Sequence, residues 1–136
     1  MDKLLYQIDG RFVKREVIGH VPSGERTNFH YMAEIDGPEL KGSLRGIDYA
    51  LTVDGVVNVH IHEVLTTEEG DLITLERIGR SLPSEEEGIT IIQGEGRAQT
   101  ASAKYAWVNE IPLVWQARFD QNSIHFKAQV HRGDEA

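Results

Sequence analysis

The sequence contains no cysteine, which excludes a disulfide framework, a thiol nucleophile and any thiolate metal site. Basic residues are scarce: 14 Lys and Arg stand against 22 Asp and Glu, for a formal charge of −8. Gripping a phosphate backbone needs clustered cations, so neither nucleic acid nor an anionic membrane is an expected partner. Long apolar runs are missing as well. The opening Met1-Asp2-Lys3-Leu4-Leu5-Tyr6-Gln7 is too short an apolar stretch for a signal peptide, and no window reaches a membrane-spanning length. The expected compartment is the cytoplasm. Helical spacing is not sustained for more than about two turns anywhere. There is no Gly-x-Ser-x-Gly elbow and no Gly-x-x-x-x-Gly-Lys phosphate loop. Gly94-Glu95-Gly96-Arg97 lacks the βαβ surroundings of a dinucleotide fingerprint.

What the sequence does have is period two. Phe29, Tyr31, Ala33 and Ile35 alternate with His30, Met32 and Glu34, and Val57, Val59 and Ile61 alternate with Asn58, His60 and His62. Alternation of this kind marks strands. Further strand candidates are 4–8, 12–19, 39–44, 49–53, 72–78, 89–93, 105–115 and 124–131, most of them rich in Val, Ile, Thr or aromatics. Thirteen glycines punctuate the chain. The pairs Asp9-Gly10, Asp36-Gly37, Asp54-Gly55 and Glu69-Gly70 suit tight turns. The loop from Ser81 to Gly88, with its three consecutive glutamates, reads as a solvated surface segment. Residues 1–136 therefore read as one all-β domain of about eight to ten antiparallel strands. Closure into a barrel, lipocalin-like or allene-oxide-cyclase-like, removes exposed edges and leaves room for a small ligand.

Several ordered stretches resemble a family of small bacterial proteins of unassigned function, domain of unknown function three-two-three-seven. They are Gly19-His20-Val21-Pro22-Ser23-Gly24-Glu25-Arg26, Gly37-Pro38-Glu39-Leu40-Lys41-Gly42, Asp48-Tyr49, Asp54-Gly55, Leu65 to Gly70, and Tyr105-Ala106-Trp107-Val108-Asn109. The resemblance runs in order along nearly the whole chain. It implies a closed or nearly closed antiparallel β-barrel with an internal cavity and brings no settled reaction with it. One departure stands out: where the family usually carries an Asp and an Arg two residues apart, this sequence has His60 and His62. The family's Pro-Gly-Gly before the aspartate is also altered, to Leu44-Arg45-Gly46-Ile47.

Two constellations stand out for chemistry. His60 and His62 share one strand face with Asn58, opposite Val57, Val59 and Ile61. Either the valines fill the barrel and the imidazoles face water, or the polar face lines the lumen. In a pocket, an imidazole suits enolisation, dehydration or isomerisation. The same spacing is half a metal site, with His30, His125 and His131 as further imidazoles. The second constellation is Tyr105, Trp107 and Asn109, which on a strand would share a face: a flat apolar wall plus donors for a carbonyl or hydroxyl. The other reading makes Tyr105 and Trp107 core and Asn109 a turn cap. Arg26, His30, Asp48, Arg77 and Arg97 are candidates for the barrel mouth, where a lumenal arginine would fork a carboxylate; Trp115 is a further candidate for the substrate wall.

The leading expectation is a cofactor-independent barrel enzyme, with no metal, doing acid–base chemistry on an apolar carbonyl or hydroxyl compound: an isomerase, dehydratase, lyase or cyclase. Its expected catalytic residues are His60, His62, Tyr105 and Asn109, and its expected substrate-binding residues Trp107, Arg26, His30, Asp48, Arg77 and Trp115. A non-catalytic small-molecule-binding barrel and a metal-dependent, cupin-like enzyme are the alternatives. A homodimer is the expected assembly.

Overall fold

The computed structural model describes residues 3–133. Eight antiparallel strands close into one barrel: β1 (Lys3–Val21), β2 (Gly24–Asp36), β3 (Gly42–Val53), β4 (Val56–Thr67), β5 (Leu72–Leu82), β6 (Ile89–Thr100), β7 (Leu113–Asp120) and β8 (His125–Arg132). Each strand pairs with its neighbour in sequence, and β8 closes the ring on β1. A short 3-10 helix (Ala106–Glu110) interrupts the connection from β6 to β7. Among the described residues no helix is long and apolar enough to cross a membrane.

The all-β expectation of about eight to ten strands holds, with eight, because two expected breaks are not breaks. Asp9-Gly10 lies inside β1, paired with Glu34 and Ala33 of β2. A Cβ at Gly10 would stand 2.4 Å from Cζ of Phe126, so this glycine clears space for a ring and turns nothing. Asp54-Gly55 is a true turn, with φ of 50° and 80°, as a tight hairpin with both central residues left-handed requires. Segments 39–44 and 49–53 merge into β3 with its preceding loop.

The expected strand over 105–115 is the larger correction. Residues 106–110 wind into the 3-10 helix, and extended structure resumes only at Leu113. The winding buries Tyr105, Val108 and Ile111, so this connection plugs one end of the barrel. The opposite end, where the β1–β2, β3–β4 and β7–β8 turns gather, stays open.

Period two sorts the strands into an apolar inside and a polar outside. Residues 59, 61 and 65 of β4, 73 and 75 of β5 and 113, 115 and 117 of β7 all point inward and are buried. Adjacent Leu5 and Tyr6 are both buried, at 2% and 1% exposure, which strict alternation forbids; a bulge between Leu4 and Tyr6 on the β8 side supplies the extra residue. Four glycines at inward or mid-strand positions, Gly46, Gly79, Gly94 and Gly96, leave the middle of the barrel wide enough for large polar side chains.

Gly79 tests that reading. A Cβ there would lie 2.6 Å from the backbone oxygen of Gln93 and 2.7 Å from Cζ2 of Trp115. Gly79→Ala is expected to destabilise the barrel by about 1–3 kcal/mol, the usual cost of overpacking, measured by urea denaturation.

Candidate functional site

A charged pair sits in the middle of the apolar interior. Glu63 continues the inward series Val59, Ile61, and Arg77 continues Ile73, Leu75, so alternation alone forces both into the barrel. Their side chains are 0% and 3% exposed. The guanidinium forks onto the carboxylate: Nε donates to Oε2 and Nη2 to Oε1, both at 2.8 Å. The Tyr31 hydroxyl donates to the same Oε1. Arg77 also lies over the Trp115 ring, 4.6 Å from its centroid, and the indole Nε1 donates to the backbone oxygens of Ile78 and Glu95 at 3.2 and 3.1 Å. Burial works against the Arg77 charge, yet Glu63, together with Tyr31 and Tyr6, more than offsets it and holds the guanidinium protonated. Burial first, and Glu63 second, push the Tyr6 and Tyr31 hydroxyls well above the usual phenol range. Both phenols stay neutral, and the buried Tyr6 hydroxyl has no hydrogen-bond partner among the described residues.

Above this layer the barrel opens into a cavity of about 770 Å3 at the unplugged end. Phe12, Phe29, Phe119, Val57, Ala50 and Ile92 make its apolar wall. All four phenylalanines of the chain gather here, with Phe12 4.9 to 5.8 Å, centroid to centroid, from the other three. Thr90, Gln121 and Asn122 supply polar groups, and Lys14 and Arg15 stand at the rim. Among the described residues, Asp48 is the one buried acid that lines the cavity; it is 7% exposed, and its Oδ1 has no hydrogen-bond partner among them. Burial pushes its carboxyl up to about 7, against the downward pull of Arg77 and of the His60 backbone amide. A carboxyl that titrates near neutrality, faces an apolar cavity and keeps a free oxygen can take or give a proton at physiological pH.

The structure decides between the two faces of β4, and the imidazoles lose. His60 and His62 point outward, their side chains 50% and 57% exposed, because the valines in alternate positions fill the interior. They cannot act on a lumenal ligand. Tyr105, Trp107 and Asn109 do not share a strand face either. Tyr105 is buried at the plugged end and donates to Glu69, Trp107 packs half-buried against the core, and Asn109 closes the loop onto both backbone groups of Thr100. Arg26 donates to the Tyr49 backbone oxygen and His30 to Glu16, both on the outside of the barrel. The structure does bring Asp48, Arg77 and Trp115 to the interior. Glu63, Tyr31 and Tyr6 were missed, although a charge in phase with Val59, Ile61 and Leu65 was a readable signal for Glu63.

No family model and no curated protein matches the chain. Solved structures do. A β-barrel-like protein from Acinetobacter baumannii superposes with a TM-score of 0.84 at 18% identity, over 97% of this chain and 94% of that one. A protein of unknown function from Clostridium acetobutylicum reaches 0.86 at 18%, over 98% and 99%. A structure described as an enzyme from Penicillium herquei reaches 0.66 at 13%, over 96% and 95%. At these identities the likeness is one of fold. The structural neighbourhood is thus one of uncharacterised bacterial barrels with a distant enzyme among them.

Two predictions follow from the buried groups. Glu63→Leu or Arg77→Met alone leaves an uncompensated interior charge and should cost about 3–5 kcal/mol, whereas the double variant should cost clearly less than the sum; urea denaturation of the four proteins closes the cycle. Asp48 titrates near 3.9 when unfolded and near 7 when folded, so the folded state binds the proton more tightly. The Asp48 contribution to stability is therefore most favourable below about pH 4 and is lost as pH rises to about 7, by about 4 kcal/mol over the window. Asp48→Asn should remove that slope and be the more stable protein at pH 8, with the gap closing toward pH 4.

Proposed function

We propose that this barrel is an enzyme that moves protons on a small, largely apolar carbonyl or hydroxyl compound held in the open-ended cavity, with Asp48 as general base and acid. The observation that carries the reading is that Asp48, a buried acid whose Oδ1 has no hydrogen-bond partner among the described residues, lines an aromatic-walled cavity. In the base form Asp48 would take a proton from carbon next to a carbonyl, and in the acid form return it to a neighbouring position, which is an isomerisation; loss of a leaving group in place of reprotonation makes it an elimination. Lys14, Arg15, Gln121 and Asn122 offer donors for the substrate oxygen. Arg77 is not free to bind a substrate carboxylate, since Glu63 occupies its fork; it sets the field around Asp48 instead. The enzyme among the structural neighbours supports a catalytic use of the fold. The ordered motifs and the bacterial barrels of the same fold support assigning the chain to domain of unknown function three-two-three-seven.

The test is hydrogen–deuterium exchange at carbon. A panel of enolisable cyclic and aryl ketones is incubated with the protein in D2O and followed by NMR. Catalysed exchange is expected for part of the panel, rising with pH through about 7, and falling by about 100-fold or more in Asp48→Asn. Saturable binding with no exchange, or exchange indifferent to Asp48, overturns the reading; the first result would make the protein a carrier.

A further inference from the structure

We propose that His60, His62 and Glu76 form a site for a late first-row divalent cation, zinc or copper(II), on the outer wall of the barrel. The two imidazoles have no part in the lumen, and the sheet gives them a third ligand from the next strand. Glu76 of β5 stands directly opposite His62 of β4, and His60 lies two residues along the same outward face. His60 Nε2 is 2.8 Å, and His62 Nε2 3.9 Å, from the same Oε1 of Glu76. One ligand atom from each residue lies within 4.8 Å of the others. Tetrahedral zinc, with bonds of about 2.0–2.2 Å, holds its ligand atoms about 3.3–3.5 Å apart. Side-chain rotation alone therefore closes the site, on a backbone already fixed by the ladder between β4 and β5.

The donor set selects the ion. Two neutral imidazoles and one carboxylate suit zinc and copper, whereas magnesium and calcium want oxygen shells. Three protein ligands leave a fourth position for water or an anion. That position borders a shallow groove where Arg97 and Asn109 also lie. Arg97 pairs across from Glu76 on β6; its charge opposes the cation through solvent and favours an anionic fourth ligand. Two other imidazole–carboxylate pairs, His20 with Glu25 at 2.7 Å and His30 with Glu16 at 2.6 Å, have two ligands each and serve as internal comparisons. The site lies across the sheet from the Asp48 cavity, so the two proposals stand or fall separately.

The experiment titrates ZnCl2 into full-length, tag-free, chelator-treated protein, by calorimetry and by NMR of the histidine rings. Saturation at one ion per chain is expected, with the His60 and His62 resonances moving first and MgCl2 giving no saturation. Glu76→Gln should weaken binding by about tenfold or more, and His60→Ala/His62→Ala should abolish the stoichiometric step. The ring mapping on the unaltered protein decides the matter even if a variant fails to fold. No saturable binding, binding unchanged in the double histidine variant, or first movement at His20 or His30 overturns the proposal.

Discussion

The barrel is organised around a charge that it cannot leave unpaired. Arg77 is carried into the interior by the alternation of β5, and Glu63 by that of β4; once both are inside, either alone would be an unsolvated ion in an apolar core. Everything at mid-height answers to that constraint. Tyr31 satisfies a further lone pair of Glu63, Trp115 covers the guanidinium and donates to carbonyls of β5 and β6, and glycines at 46, 79 and 96 clear the volume these side chains occupy.

The same layer sets the character of the cavity above it. Burial dominates the titration of Asp48; the downward pull of Arg77 is only partly offset by the charge of Glu63 that fills its fork. Asp48 is in this sense an expensive residue for the fold at neutral pH, the kind of local cost that sites of chemistry carry. The plug formed by the 3-10 helix at one end and the cluster of phenylalanines at the other make the interior a one-ended vessel, with Asp48 between the aromatic wall and the ionic layer.

The outer wall follows a different logic. There the side chains meet water, so His60, His62 and Glu76 are held together by strand register and not by packing. An imidazole pair that reads as catalytic in one dimension lies, in the folded barrel, on the solvent side of the sheet beside Glu76. The inward or outward sense of a strand follows from which of its two faces is more apolar, and β4 offers Val59, Ile61 and Leu65 on one side against Asn58, His60 and His62 on the other. Glu63 stands in that apolar series because Arg77 of β5 forks onto it inside the barrel.

By itself the sequence determined that this chain is all-β, where most strands run, and that Asp48, Arg77 and Trp115 deserved notice, because alternation and turn chemistry are local and survive without neighbours. Only the tertiary structure decided which face of each strand looks inward, that 105–110 winds instead of extending, and which charges meet. Those outcomes depend on barrel closure: pairing β8 with β1 assigns every strand one inner face, and residues far apart in sequence then share a single volume. Glu63 and Arg77 are 14 positions apart on the paired strands β4 and β5, Tyr31 of β2 is 32 from Glu63, and only strand pairing relates them.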